Sequence, residues 1–233
     1  MDMLPPYISN NLIHWTGRGK TEEEAFEIVK IIIDTNRLLL SSCPTTGKQD
    51  EITAKEQIVC FTDIPVELSS RHCSRFGQFG VAFDKSVFIE YGANPVLYYT
   101  KQFEQLIQNI YQKRLRGIDE ASFDLPLHEM LSKLSSLFQS YSYKIDEDEE
   151  LNYYQREWRL AFNSNKVANH FKGENSQGLF TLGAPGNKSY FNFYKKDVRF
   201  IIISKSFEDL ATQFLKDKHS NIELKLFEKC VNR

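Results

Sequence analysis

Residues 57–84, QIVCFTDIPVELSSRHCSRFGQFGVAFD, decide how this chain is read. Residues 58–62 are a β-rich apolar run, stopped by Asp63 and Pro65, and residues 80–83 are a second short run. Between the two lies a polar turn in which Arg71, His72, Arg75 and Phe76 fall within six residues. Two buried strands this close on either side of a cationic turn place side chains rather than merely connect elements. Two further stretches are chemically dense: His14-Trp15-Thr16-Gly17 near the start and Arg156-Glu157-Trp158-Arg159 in the second half. The expectation is that all three meet in one cleft.

Outward from this stretch, the chain has the length and composition of one α+β domain spanning residues 1–233. Of its 233 residues 41% are apolar and 26% charged, enough for a sizeable core under a polar surface. A net charge of -2 gives no global attraction to nucleic acid or an anionic membrane, so any such contact must come from a local patch. No apolar run approaches a membrane span, and no opening stretch reads as a signal peptide. Cys43, Cys60, Cys73 and Cys230 show no paired spacing, which points to reduced thiols in a cytoplasmic protein rather than a zinc site or a disulfide framework.

The pattern predicts a first strand over residues 12–16 and a helix to about Asn36. Thr21 and Glu24 form the capping box of that helix, and Ala25, Val29, Ile32 and Ile33 line its apolar face. Short strands are expected over residues 38–41 and 96–99. A polar loop (44–54) and two helices (from about Gln102 to Gly117, and from Pro126 with a stripe including Leu127, Met130, Leu134 and Phe138) fill the middle. Residues 146–150 read as an acidic connector, 153–162 as a strand with Trp158 and Leu160 on one face and Glu157 and Arg159 on the other. Later strands are expected over 178–182, 190–194, 198–204 and 222–227, with a helix over 206–216. Strand, helix and strand followed by helices and then several strands argues an α+β fold.

Each dense spot has a functional and a plain reading. His14, at a strand end before Gly17-Arg18-Gly19, is either a hydrogen-bond donor to a ligand hydroxyl or a satisfied structural histidine. Arg71 and Arg75, four apart on one helical face, either grip a phosphate or form surface ion pairs. Thr62 and Asp63 end a strand, where they hold a ribose or cap the segment entered at Pro65. Glu157, flanked by Arg156 and Arg159, stays ionised and either holds a ribose hydroxyl or pairs with an arginine in a strand ladder. No carboxylate cluster has metal-ligand spacing.

The run from Ile58 to Pro65, then Arg71-His72, residues 76–83, residues 92–98, Arg156-Glu157-Trp158-Arg159 and residues 197–203 together resemble the AbiGi family of abortive phage-resistance proteins, members of which are labelled antitoxins. The order of parts is also similar to the ADP-ribosyltransferase fold, in particular the DarT-like toxins that modify nucleic acid. That second resemblance implies two small packed sheets with peripheral helices and a cleft for NAD. It implies His14 on the nicotinamide-side ribose and Glu157 as the carboxylate that supports the oxocarbenium-like transition state. Arg71 or Arg75 would meet the pyrophosphate and Trp15 or Phe79 would stack on nicotinamide, with Thr16 and Thr62 nearby. The middle catalytic position, near Thr62, Arg75 and Phe79, carries neither tyrosine nor serine. Two readings follow: an NAD-dependent transferase acting on a nucleic-acid or protein acceptor, and a non-catalytic antitoxin or nucleotide-sensing module with a cognate toxin as partner.

Overall fold

Thr21 caps the first helix by the reciprocal pairing the sequence announces: its hydroxyl accepts from Glu24 N at 3.2 Å while the Glu24 carboxylate accepts from Thr21 N at 3.0 Å. Asn36 ends that helix in the left-handed region (φ 54°), a conformation asparagine tolerates better than most residues. The computed structural model describes residues 8–42, 57–99, 137–140, 142–145, 148–151, 155–162, 180–181 and 188–227. In chain order these form β1 (Asn11–Thr16), α1 (Glu22–Thr35), β2 (Arg37–Leu39), β3 (Ser41–Ser42), β4 (Gln57–Thr62), α2 (Ser70–Phe76), β5 (Phe79–Asp84) and α3 (Lys85–Glu90). There follow β6 (Asn94–Pro95), β7 (Leu97–Tyr99), β8 (Phe138–Ser140), β9 (Ser142–Ile145), β10 (Asp148–Leu151) and β11 (Glu157–Phe162). The last are β12 (Phe180–Thr181), β13 (Tyr190–Asn192), β14 (Val198–Ser204), α4 (Glu208–Lys218) and β15 (Glu223–Phe227).

The architecture is α+β. An eight-stranded sheet runs β15-β14-β5-β1-β4-β11-β6, with β3 also on β4. Its described pairings are antiparallel except β14 with β15, and a parallel pair needs a crossover, which α4 supplies. Small sheets add β12-β13-β2, β9-β10 and β7-β8. β1 is laddered to β5 from Asn11↔Asp84 to Thr16↔Phe79, and β11 to β4 from Glu157↔Thr62 to Phe162↔Gln57. Between these two well-paired halves, β1 and β4 share only the pair Ile13↔Thr62. The expected two small packed sheets are therefore corrected: the halves meet edge to edge along a narrow seam rather than stacking.

Strand alternation gives the main sheet two different faces. On one, Leu12, Val59, Phe61, Val81, Phe83, Leu160, Ile201 and Ile203 pack under α1 (Ala25, Phe26, Val29, Ile32, Ile33) and α4 (Ala211, Leu215). On the other, Ile13, Trp15, Ala82, Phe200 and Ile202 pack with Phe227 and with Val66 and Cys73 of the segment that contains α2. Burial of each such large side chain contributes about 1.5–3 kcal/mol, so the thicker first face carries most of the described core.

Several expectations shift in detail. Phe138 lies in β8 rather than in a helical stripe, and residues 148–150 belong to the hairpin strand β10 rather than to a connector. The strand expected over 153–162 is observed as Glu157–Phe162. α3 had no sequence signal read for it, yet Asp84 caps it by accepting from Ser86 N and Val87 N. The loop at 44–54, the helix at 102–117 and most of the one after Pro126, with Cys43 and Cys230, lie outside the described residues. Among the described residues no helix is long and apolar enough to cross a membrane, and Cys60 and Cys73 are free thiols.

Candidate functional site

The carboxyl end of β4 is the hub. Thr62 is fully buried, and its hydroxyl donates to Gln155 O at 2.9 Å while accepting from Ile64 N at 3.3 Å. It therefore ties the approach to β11 onto β4. It does not face a ligand as expected. Asp63, also buried, holds Lys85 Nζ at 2.7 Å and Arg156 Nη2 at 2.7 Å. The ammonium of Lys85 lies 4.4 Å from the centre of the Trp158 ring, a cation–π contact. Arg156 reaches Asp63 from a left-handed backbone (φ 45°), unusual for a residue with a Cβ. So Asp63 serves as the centre of an ion-pair group, and the segment entered at Pro65 has no side-chain cap, which corrects the capping role read from sequence.

Glu157 opens β11. Its Oε1 accepts from Arg159 Nε at 2.8 Å and its Oε2 from Arg159 Nη2 at 3.2 Å, a two-pronged clamp within one strand. Both side chains are nearly buried, Arg159 at 8% and Glu157 at 11% exposure. Glu157 N donates to Tyr98 Oη at 2.9 Å, and burial pushes the Tyr98 phenol well above its ordinary pKa. The alternation read from sequence is observed: Trp158 and Leu160 pack with the thick core while Glu157 and Arg159 point the other way.

His14 lies at the seam. Its Nδ1 is 2.9 Å from Cys60 O, so Nδ1 carries the proton and donates, leaving Nε2 as an acceptor. The imidazole meets the Phe61 ring edge-on at 5.9 Å. Burial lowers its pKa, the carbonyl bond opposing, so the ring is held neutral. His14 shares a face with Leu12 and Phe61, whereas Thr62 pairs with both Ile13 and Glu157 and puts that carboxylate on the opposite face. The expected convergence of His14 and Glu157 on one hollow is corrected: the register separates them through the thickness of the sheet.

The remaining candidates divide in the same way. Phe79 is 1% exposed, packed on Phe207 at 5.7 Å, and has no surface to offer a stacking ligand. Thr16 is paired with Phe79 at the strand end, on the His14 side. Trp15 lies on the other face with Phe227 at 6.0 Å and His72 at 6.5 Å. α2 brings Arg71, His72, Arg75 and Phe76 to this same corner. His72 and Phe76 rings lie 4.6 Å apart, and the Arg75 guanidinium lies 5.2 Å from the Phe76 ring centre. Burial, helped by the Arg75 charge, pushes His72 down to about 4. Of the residues named from sequence, Trp15 meets α2 through His72, and Arg75 lies over Phe76 of the same helix. Sequence reasoning missed Tyr98 and Lys85 as parts of the site, because their partners Glu157 and Asp63 are brought to them only by the tertiary fold.

No group of three or more histidine, cysteine, aspartate or glutamate side chains among the described residues could hold a metal ion. A family model described as "Putative abortive phage resistance protein AbiGi, antitoxin" matches residues 39–204. The match includes Thr62, Arg71, Arg75, Phe79 and Glu157 and leaves out His14, Trp15 and Thr16. No curated protein and no solved structure matches the chain.

Proposed function

Because the chain belongs to the AbiGi family of abortive phage resistance proteins, we propose that it works as the antitoxin of an abortive-infection pair, restraining a cognate toxin by binding it. The observation that carries binding over turnover is the state of Glu157. Its carboxylate is clamped by Arg159 at both oxygens and faces away from His14. Transfer of ADP-ribose from NAD asks an imidazole and a carboxylate to converge on one ribose and to stabilise a developing cationic sugar. A carboxylate whose charge is already neutralised by a buried guanidinium has little field left for that task.

The test is expression of the chain alone and together with the toxin of the same defence system. The chain alone should leave growth unchanged, co-expression should restore growth to toxin-bearing cells, and the double variant Arg159→Met/Glu157→Gln, which removes the carboxylate together with its clamp, should still rescue. A chain that slows growth by itself and loses that effect in Glu157→Ala would overturn the proposal in favour of a transferase.

A further inference from the structure

The two ends of the main sheet are finished differently. At one end β6 is two residues long and carries Pro95, which has no N–H to donate. At the other end β15 runs five residues without a proline, and among the described residues it pairs with β14 alone. Its outer edge therefore presents backbone donors and acceptors to a further strand, a row that folded proteins usually blunt. Leu224 and Leu226 lie on the thick face, packed against the core yet only half-buried. Glu223 and Lys225 lie on the second face, with the Lys225 ammonium 4.3 Å from the centre of the Phe200 ring.

With Glu223 and Lys225 on either side of Leu224, this edge is complementary to itself. From that pattern we infer that β15 is the interface of a symmetric dimer, in which a second copy of this chain adds its own β15 antiparallel, centred on Leu224. A two-fold axis normal to the sheet keeps each residue on its own face and pairs residues equally far from the centre. Centred on Leu224, Glu223 of each copy stands opposite Lys225 of the other, and Ile222 opposite Leu226. Opposite charges meet twice, and the apolar row continues across the join. Centring on Glu223 or on Lys225 sets like charges opposite each other. Centring on Leu226 sets Lys225 against Phe227 and forms no ion pair within the strand.

The helix above this edge repeats the pattern. Ala211 and Leu215 of α4 are buried, and Phe214 turns to Phe26 of α1 with ring centres 6.4 Å apart. On the opposite flank, away from α1 and over β15, Glu208, Thr212 and Lys216 are exposed and spaced four apart. The same axis runs the two α4 helices antiparallel, with Thr212 beside Thr212 and Glu208 directed to Lys216 of the other copy. Two short strands alone make a marginal contact; the flanking helices widen it.

The assay uses the full chain without any other protein, so its outcome is separate from that of the antitoxin test. Sedimentation equilibrium at tens of micromolar should give twice the mass of one chain, and hydrogen exchange at the β15 amides should slow as chain concentration rises. Glu223→Lys and Lys225→Glu should each weaken the dimer at least tenfold, since each sets like charges opposite. The double swap Glu223→Lys/Lys225→Glu restores opposite charges and should return the dimer to within threefold of the parent. Circular dichroism checks that each variant is folded; if Lys225→Glu is not, Glu223→Lys, at an exposed position, gives the same reading. A single-chain mass at that concentration, a dimer that both single variants leave intact, or a double swap no tighter than the single variants would each overturn the inference. So would β15 amides that slow only when another protein is added, since the edge would then belong to that protein.

Discussion

Arg159 clamps Glu157 from two residues along the same strand, with Nε 2.8 Å from one carboxylate oxygen and Nη2 3.2 Å from the other. Because residues i and i+2 of a strand share a face, this pairing is local in sequence and buried in the fold. The two charges depend on each other. Removing the Arg159 guanidinium leaves the Glu157 carboxylate in a low-dielectric site without this clamp, at a cost of about 3–5 kcal/mol. Arg159→Met should therefore destabilise the chain by that amount in urea unfolding, while the double variant Arg159→Met/Glu157→Gln should recover more than half of the loss. Equal instability of single and double variants would show that the clamp is not coupled.

The pH dependence of stability follows from the imidazoles. His72 has a folded pKa of about 4 against an ordinary 6.5, so between those values the unfolded chain binds the proton and the folded chain does not. Stability is then full above about pH 6.5 and falls as the pH drops towards about 4. His14, lowered in the same direction, adds to the slope. Replacing His72 by asparagine should flatten the fall in melting temperature between about pH 7 and about pH 4.5. A variant with the parent's slope would mean that the acid sensitivity comes from carboxylates alone.

How far these relationships were legible depends on their range. The α1 capping box and the apolar face of α1 are written in residues three and four apart, and the strand alternation of Trp158 and Leu160 against Glu157 and Arg159 in residues two apart. The same alternation forbids placing His14 and Trp15 in one site, since neighbours on a strand face opposite ways. What no local pattern carries is that β1 lies between β5 and β4 with Ile13 opposite Thr62, and this register alone sends Glu157 to the Trp15 side of the sheet. The Asp63 group with Lys85 and Arg156 needs the ends of three separate segments to meet. Its signal is tertiary throughout.

Arg156 offers a test of stored strain. Its φ of 45° costs a residue with a Cβ about 1–2 kcal/mol relative to glycine, and its ion pair with buried Asp63 offsets that cost. Arg156→Ala keeps the strain and loses the ion pair. Arg156→Gly loses both. Glycine should thus be the more stable of the two variants by about 1 kcal/mol despite its greater freedom when unfolded; an alanine variant at least as stable would contradict the strained assignment.

Gly77 separates the contribution of packing at the α2 corner from that of its charges. An alanine Cβ there would sit 2.0 Å from Thr16 O and 2.7 Å from Thr16 C, at a φ of 110° that side chains rarely adopt. The clash is with backbone on both sides, so no rotamer change relieves it; α2 must move off β1. Overpacking and backbone strain together predict a loss of about 3 kcal/mol or more for Gly77→Ala. Since Trp15 packs against His72 and Cys73 of that helix, the displacement should also expose the Trp15 indole, read as a red shift and stronger iodide quenching in a Trp158→Phe background, where Trp15 is the sole indole. Arg71→Gln and Arg75→Gln on the same helix remove charge without a clash and should leave the emission unchanged. Unaltered emission in Gly77→Ala would mean that α2 is not seated on β1 through this glycine.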